Sequence, residues 1–180
     1  MVATRGFNAE KFISMYGERT DDGLWCRNFQ LTKEEVAAIQ TQDFVISLDE
    51  KVYFEDCDIG VLSEKLISKF PNATKLTFSH VVFQIAPSTQ MDYPWLESLW
   101  FDNCEIRMRN RVNIRGLEKD KVKYKILDSK FTDIKQDLAD FVIIGISKNT
   151  EENYVPHMSG AMHPTVLTRL HEIVWRSFCT

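Results

Sequence analysis

Residues 70–106 read FPNATKLTFSHVVFQIAPSTQMDYPWLESLWFDNCEI, and two segments inside this stretch share one pattern. Leu76-Thr77-Phe78-Ser79-His80-Val81-Val82-Phe83 and Leu99-Trp100-Phe101-Asp102-Asn103-Cys104-Glu105-Ile106 both run apolar-x-apolar-x-x-small apolar-x-apolar, the second starting 23 residues after the first. Upstream, Val52-x-Phe54-x-x-Cys57-x-Ile59 leads Leu76 by 24 residues. Downstream, Val122-x-Tyr124-x-x-Leu127 follows Leu99 by 23, and a weaker copy, Ile144-x-Ile146-x-x-Asn149, follows Val122 by 22. Strand side chains alternate between two faces. Each copy therefore reads as a short strand with two apolar side chains turned inward. A turn position follows, occupied by Cys57 or Cys104, with its side chain facing the interior. The next apolar residue, Ile59, Phe83 or Ile106, anchors the return path.

One such unit cannot bury its apolar face alone, whereas stacked neighbours can. A recurring LxL strand with Asn or Cys at the turn resembles the leucine-rich repeat, whose period is about 20–29 residues. The resemblance implies an α/β solenoid: a short leucine-rich repeat array of about four or five repeats, with parallel strands and helical terminal caps. Second anchors recur at Phe70, Tyr93, Leu117 and Phe141. The row just before the strands holds Ala73 and Leu96 but fails at Asp49 and Lys119, so the repeats are degenerate. The competing reading is chance alternation in an ordinary α/β domain.

The 180 residues suit one domain with a real core, and 44% of them are hydrophobic. The 12 phenylalanines fit aromatic replacement of leucine in the repeat core. A net charge of −4 argues against nucleic acid as partner, which needs a basic surface. The basic run Arg107, Arg109, Arg111, Arg115 reads as a solvated return segment. The 4 cysteines form no CxxC and no metal spacing. Cys57 and Cys104, at matching turn positions, read as buried free thiols. Cys26 and Cys179 flank the array. No apolar run is long enough to span a membrane. MVATRGFNAEKF has no apolar h-region, so no secretory signal is expected. A lone sequon, Asn72-Ala73-Thr74, is weak support for a secretory history.

The chain divides into four parts. Residues 1–23 read as a helix and linker, with Asn8 as cap, Phe12, Ile13 and Tyr16 on one side, and Gly17 and Asp21-Asp22-Gly23 ending it. Residues 24–149 are the repeat domain. Its return segments are helix-like over 60–70, irregular over 84–94 with Pro87 and Pro94, and polar over 107–118. Residues 150–163, with Pro156 and Gly160, read as a linker. His157 and His163 in it lack the further ligands a metal site needs. Residues 164–180 carry a helix opened by Pro164, with an apolar stripe of Val166, Leu170, Ile173 and Val174. It caps the last repeat or, alternatively, pairs two chains as a dimer.

A narrower resemblance starts at Leu24-Trp25-Cys26-Arg27-Asn28-Phe29-Gln30-Leu31-Thr32. An acidic, turn-like stretch follows, then Lys51-Val52-Tyr53-Phe54, with Phe70-Pro71-Asn72 leading into the next strand. This order resembles leucine-rich repeat proteins of insects, especially dipteran ones, over roughly residues 24–149. The resemblance implies an extracellular protein of immunity or cell-surface contact. Three features depart from it: no signal peptide, a shorter array, and only Cys57 within fifty residues of Cys26 as a disulfide partner. They keep a cytoplasmic relative as the alternative.

The sequence has no P-loop, GxGxxG, GxSxG or HExxH motif. No catalytic residue, cofactor or metal is expected. His80 reads as a polar surface residue near a strand end. The expected site is instead the outward strand face: Tyr53 and Glu55, Thr77 and Ser79, Trp100 and Asp102, then Lys123 and Lys125. Outward tryptophans are enriched at binding hot spots. The acidic pair Glu55 and Asp102 against the basic pair Lys123 and Lys125 grades the surface in charge, which orients a docking protein. The expected function is non-catalytic protein–protein recognition. The alternatives are an intracellular adaptor that recruits substrates to a larger complex, and a small enzyme of unrecognised type.

Overall fold

A computed structural model describes residues 6–90, 93–107, 113–115, 123–127, 129–132 and 157–158. The alternating segments form strands that lie edge to edge in one direction. β3 (Lys51–Leu62) pairs in parallel with β4 (Lys75–Ile85), and β4 pairs in parallel with β6 (Ser98–Asp102) and β7 (Glu105–Arg107). Their register sets Val52, Leu76 and Leu99 side by side, and Phe54, Phe78 and Phe101 likewise. Those six side chains are all buried. The three phenylalanine rings stack, at 5.0 Å and 6° for Phe54 on Phe78, and 5.3 Å and 16° for Phe78 on Phe101.

Further strands extend the sheet both ways. β2 (Gly23–Arg27) lies parallel to β3, with Leu24 beside Val52 and Cys26 beside Phe54. β1 (Gly17–Thr20) folds back antiparallel on β2. On the other side, β9 (Lys123–Leu127) pairs with β6, β10 (Lys130–Thr132) with β7, and β11 (His157–Met158) with β10, all in parallel. Among the described residues this makes a nine-stranded sheet. β5 (Ser88–Gln90) and β8 (Asn113–Arg115) form a separate parallel pair.

The rows bend at one recurring position. Asn28, Asp56, His80 and Asn103 all have positive φ, at 59°, 50°, 53° and 49°. Asn, Asp and His are the side chains that visit this left-handed region most readily. The bend puts two outward residues in succession, so the buried set steps from Phe54 to Cys57 and from Phe101 to Cys104. Hydrogen bonding carries on around it: Asn28 N–H donates to the Glu55 carbonyl at 3.2 Å, and Asp58 N–H to the Phe29 carbonyl at 3.0 Å. Cys104 Sγ donates inward to the Phe78 carbonyl at 3.2 Å. His80 is exposed at its corner.

The connections are partly helical. α1 (Ala9–Tyr16) starts at Asn8, whose side chain accepts from Lys11 N–H at 2.9 Å, and it buries Phe12. The next residues, read as a linker, make the β1–β2 hairpin instead. Gly23 opens β2 at φ 136°, where a Cβ would lie 2.3 Å from the Lys51 carbonyl oxygen, so only glycine fits. The stretch after Thr32, read as turn-like, is α2 (Lys33–Thr41). Thr32 and Glu35 close a capping box: Glu35 N–H donates to Thr32 Oγ1 at 3.2 Å, and Thr32 N–H donates to Glu35 Oε2 at 2.8 Å. Ala38 and Ile39 fasten α2 to the core. The helix-like segment 60–70 yields only the short α3 (Glu64–Ile67), because β3 runs on to Leu62.

Three further expectations change. Asp49, a break in the apolar row of Ala73 and Leu96, is itself buried and accepts from Arg19 of β1. Arg19 Nε lies 3.1 Å from Oδ1 and Nη2 3.1 Å from Oδ2, so the polar rung is where the hairpin docks. Second, β6 pairs Leu99 with Tyr124 and Phe101 with Ile126, not Leu99 with Val122. A slip of two residues preserves which face each side chain takes, so alternation alone fits both registers. Third, His157–Met158 is a strand inside the segment read as linker. The copy at 144–149, the helix at 164–180, Leu117, Phe141 and Cys179 lie outside the described residues.

Candidate functional site

The outward residues of the strands form three rows across the sheet. The middle row is Trp25, Tyr53, Thr77 and Trp100, continued at the register position of Lys125. Toward the bend lies Arg27, Glu55, Ser79 and Asp102. On the opposite side lies Lys51, Lys75 and Ser98, continued at the register position of Lys123. Neighbours in a row stand about 4.8 Å apart.

From β2 to β6 the middle row carries an aromatic ring on every rung but one. Trp25 and Tyr53 stack at 4.2 Å with 14° between their planes. Thr77 then leaves a gap, and Trp100 stands beyond it. The result is a groove of about 310 Å³ with Tyr53 and Trp100 as walls and Thr77 and Ser79 beneath, rimmed by Glu55, Asp102 and Lys75.

The electrostatics of the groove are ordered. The Lys75 ammonium lies 3.9 Å from the Trp100 ring centroid and 5.9 Å from that of Tyr53, within cation–π reach of both. The Arg27 guanidinium lies 4.9 Å over Trp25 and 3.8 Å from the carboxylates of both Glu18 and Glu55. Ser79 Oγ meets His80 Nδ1 at 3.1 Å. Thr77 Oγ1 is shielded from solvent and has no hydrogen-bond partner.

Of the eight residues expected on this face, Tyr53, Glu55, Thr77, Ser79, Trp100 and Asp102 line the groove. Lys123 and Lys125 stand on β9 beside Ser98 and Trp100, one pair earlier than expected beside Trp100 and Asp102. Sequence reasoning passed over Trp25 and Lys75. Trp25 belongs to an earlier copy, Leu24-x-Cys26-x-Asn28, set 28 residues before Val52 because α2 lengthens the connection. Lys75 has the same strand parity as Thr77 and Ser79, and that parity was the available signal.

Cys26, Cys57 and Cys104 are free and buried. Cys26 lies within the strand stack beside Phe54, not at its flank. Burial pushes the Cys26 and Cys104 thiols up to about 12, and the Cys57 thiol upward as well. Such thiols stay protonated at neutral pH and are poor nucleophiles. Among the described residues no cluster of His, Cys, Asp or Glu can hold a metal ion, and no helix is long and apolar enough to cross a membrane. Comparison with protein-family models, with curated proteins and with solved structures yields no match.

Proposed function

We propose that the chain is a short leucine-rich repeat protein that recognises a protein partner through the outward face of its strands, without chemistry of its own. The parallel register of segments 23 and 24 residues apart supports the repeat reading. The observation that carries the functional reading is the groove between Tyr53 and Trp100. A partly exposed tryptophan beside an open cavity offers a large rigid ring that gains by being covered. The test is Trp100→Ala in the full chain, with affinity for the purified partner and urea unfolding measured together. Binding should weaken tenfold or more, by about 1.4 kcal/mol at least, with the unfolding midpoint unchanged. Unchanged affinity, or collapse of the fold, overturns the reading.

A second reading is the intracellular adaptor. The three free thiols favour it, because disulfides persist in oxidising compartments. Mass spectrometry of the protein from its native source, alkylated before and after reduction, separates the two. A Cys26 disulfide with a glycan on Asn72 places the protein outside the cell; free thiols support the adaptor.

A further inference from the structure

We infer that the slot between Tyr53 and Trp100 receives a cationic side chain of the partner, an arginine or lysine, and that Lys75 fills this place in the unbound protein. The inference deepens the proposed protein recognition and rests on it.

Three observations converge. The first is geometric. Tyr53 and Trp100 stand two strand spacings apart, about 9.6 Å, with only Thr77 between them. That width admits an alkyl ammonium or guanidinium between two ring faces. The Lys75 ammonium already lies there, 3.9 Å from one centroid and 5.9 Å from the other. The rings are thus arranged to take a cation.

The second is charge. Glu55 and Asp102 rim the cavity on the side away from Lys75, and Lys75 is the one cation lining it among the described residues. The lining residues carry two carboxylates against one ammonium, and Asp102 is the carboxylate that Arg27 leaves for an incoming cation. Arg27 draws on Glu55 at 3.8 Å, a loose pair that an incoming guanidinium can share or displace.

The third is an unmet acceptor. Thr77 Oγ1 lies at the floor, shielded and without a hydrogen-bond partner. A buried hydroxyl left in this way costs about 1–3 kcal/mol. Lysine and arginine bring three and five N–H donors and no acceptor, which suits a site lined by a hydroxyl oxygen and two carboxylates.

Lys75 then acts as a built-in competitor. It shields the Trp100 face while the site is empty, and it must swing out or be outbid for a foreign cation to stack there.

The test is NMR of the indole N–H groups of the intact chain, with the Trp100 signal assigned by Trp100→Phe. The probes are N-acetyl-arginine amide, its neutral isostere N-acetyl-citrulline amide, and N-acetyl-glutamate amide. The arginine probe should shift the Trp100 signal saturably, and citrulline should bind about three- to tenfold more weakly. Lys75→Met should tighten arginine binding by a similar factor, and Asp102→Asn should weaken it. Equal binding of arginine and citrulline overturns the inference, as does preferential binding of the glutamate probe or weaker arginine binding in Lys75→Met. If arginine leaves Trp100 unmoved while Trp100→Ala still abolishes partner binding, the cation slot falls and protein recognition stands. If arginine binds but Trp100→Ala leaves partner affinity intact, the groove is not the partner's site and the inference falls along with the recognition reading.

Discussion

The inner and outer faces of β2, β3, β4 and β6 share the same backbone steps and reach opposite results. Inside, Cys26, Phe54, Phe78 and Phe101 stand rung beside rung and every one is buried. Outside, the row Trp25, Tyr53, Thr77, Trp100 is just as aromatic, with three rings in four, yet its one small member leaves a groove. A gap on the inside is a void without water and loses contacts outright. The same gap on the outside is open to solvent and costs little. The face a row takes therefore decides what a small member does: Cys26 stays buried within the core, whereas Thr77 opens a cleft.

The comparison breaks most visibly at Phe78. Phe78→Ala removes the centre of the inner stack and should cost about 3–5 kcal/mol in urea unfolding. A loss below about 1 kcal/mol would mean that the inner row is not a continuous packed column. Asp49 tests a polar rung of that interior. Asp49→Ala strips Arg19 of its carboxylate, but the Arg19 side chain is 41% exposed and can rehydrate. The expected loss is therefore about 1–2 kcal/mol, below that of a fully buried pair. Arg19→Ala should cost at least as much, since it leaves Asp49 buried without its cation.

The thiols sharpen the contrast by pH. Cys26 and Cys104 keep their protons in the folded chain up to about 12, while the unfolded thiols release them near 9. Above that lower value the folded state holds more protons than the unfolded one, so stability falls as pH rises. The slope is about 1.4 kcal/mol per pH unit for each such thiol, lost between roughly pH 9 and 12. Urea midpoints at pH 8 and pH 10 should show the fall, and Cys104→Ala should lessen it by one thiol's share while Cys26 and Cys57 keep the rest; an unchanged slope would mean that the Cys104 thiol sees water. The smallest effect belongs to the outer gap. Thr77→Val keeps the shape and removes the orphaned hydroxyl, so stability should stay level or rise by up to about 1 kcal/mol. Destabilisation by Thr77→Val would show that the hydroxyl has a partner and that the floor of the groove is closed.

What could be read without coordinates follows a physical divide. The segments Val52–Phe54, Leu76–Phe78 and Leu99–Phe101 announce themselves because strand alternation is local and a stacked unit must repeat it. Six of the eight outward residues that line the groove came from that parity alone. Trp25 escaped because its copy lies 28 residues ahead of the next, across a helix that the Thr32–Glu35 capping box signals. The positive-φ corners were half legible. Cys57 and Cys104 marked a turn, but Asn28, Asp56, His80 and Asn103 share a backbone conformation rather than a residue type.

The sequence by itself determined which residues face in and which face out, because a strand has only two faces and burial selects one of them. Only the tertiary structure decided how far each strand slides against the next. That slide set Tyr124 rather than Val122 beside Leu99 and brought Lys75 between two rings from different strands. The reason is that a shift of two residues leaves every face unchanged. It alters only cross-strand partners, and those are chosen by backbone hydrogen bonds and ring contacts between segments more than twenty residues apart.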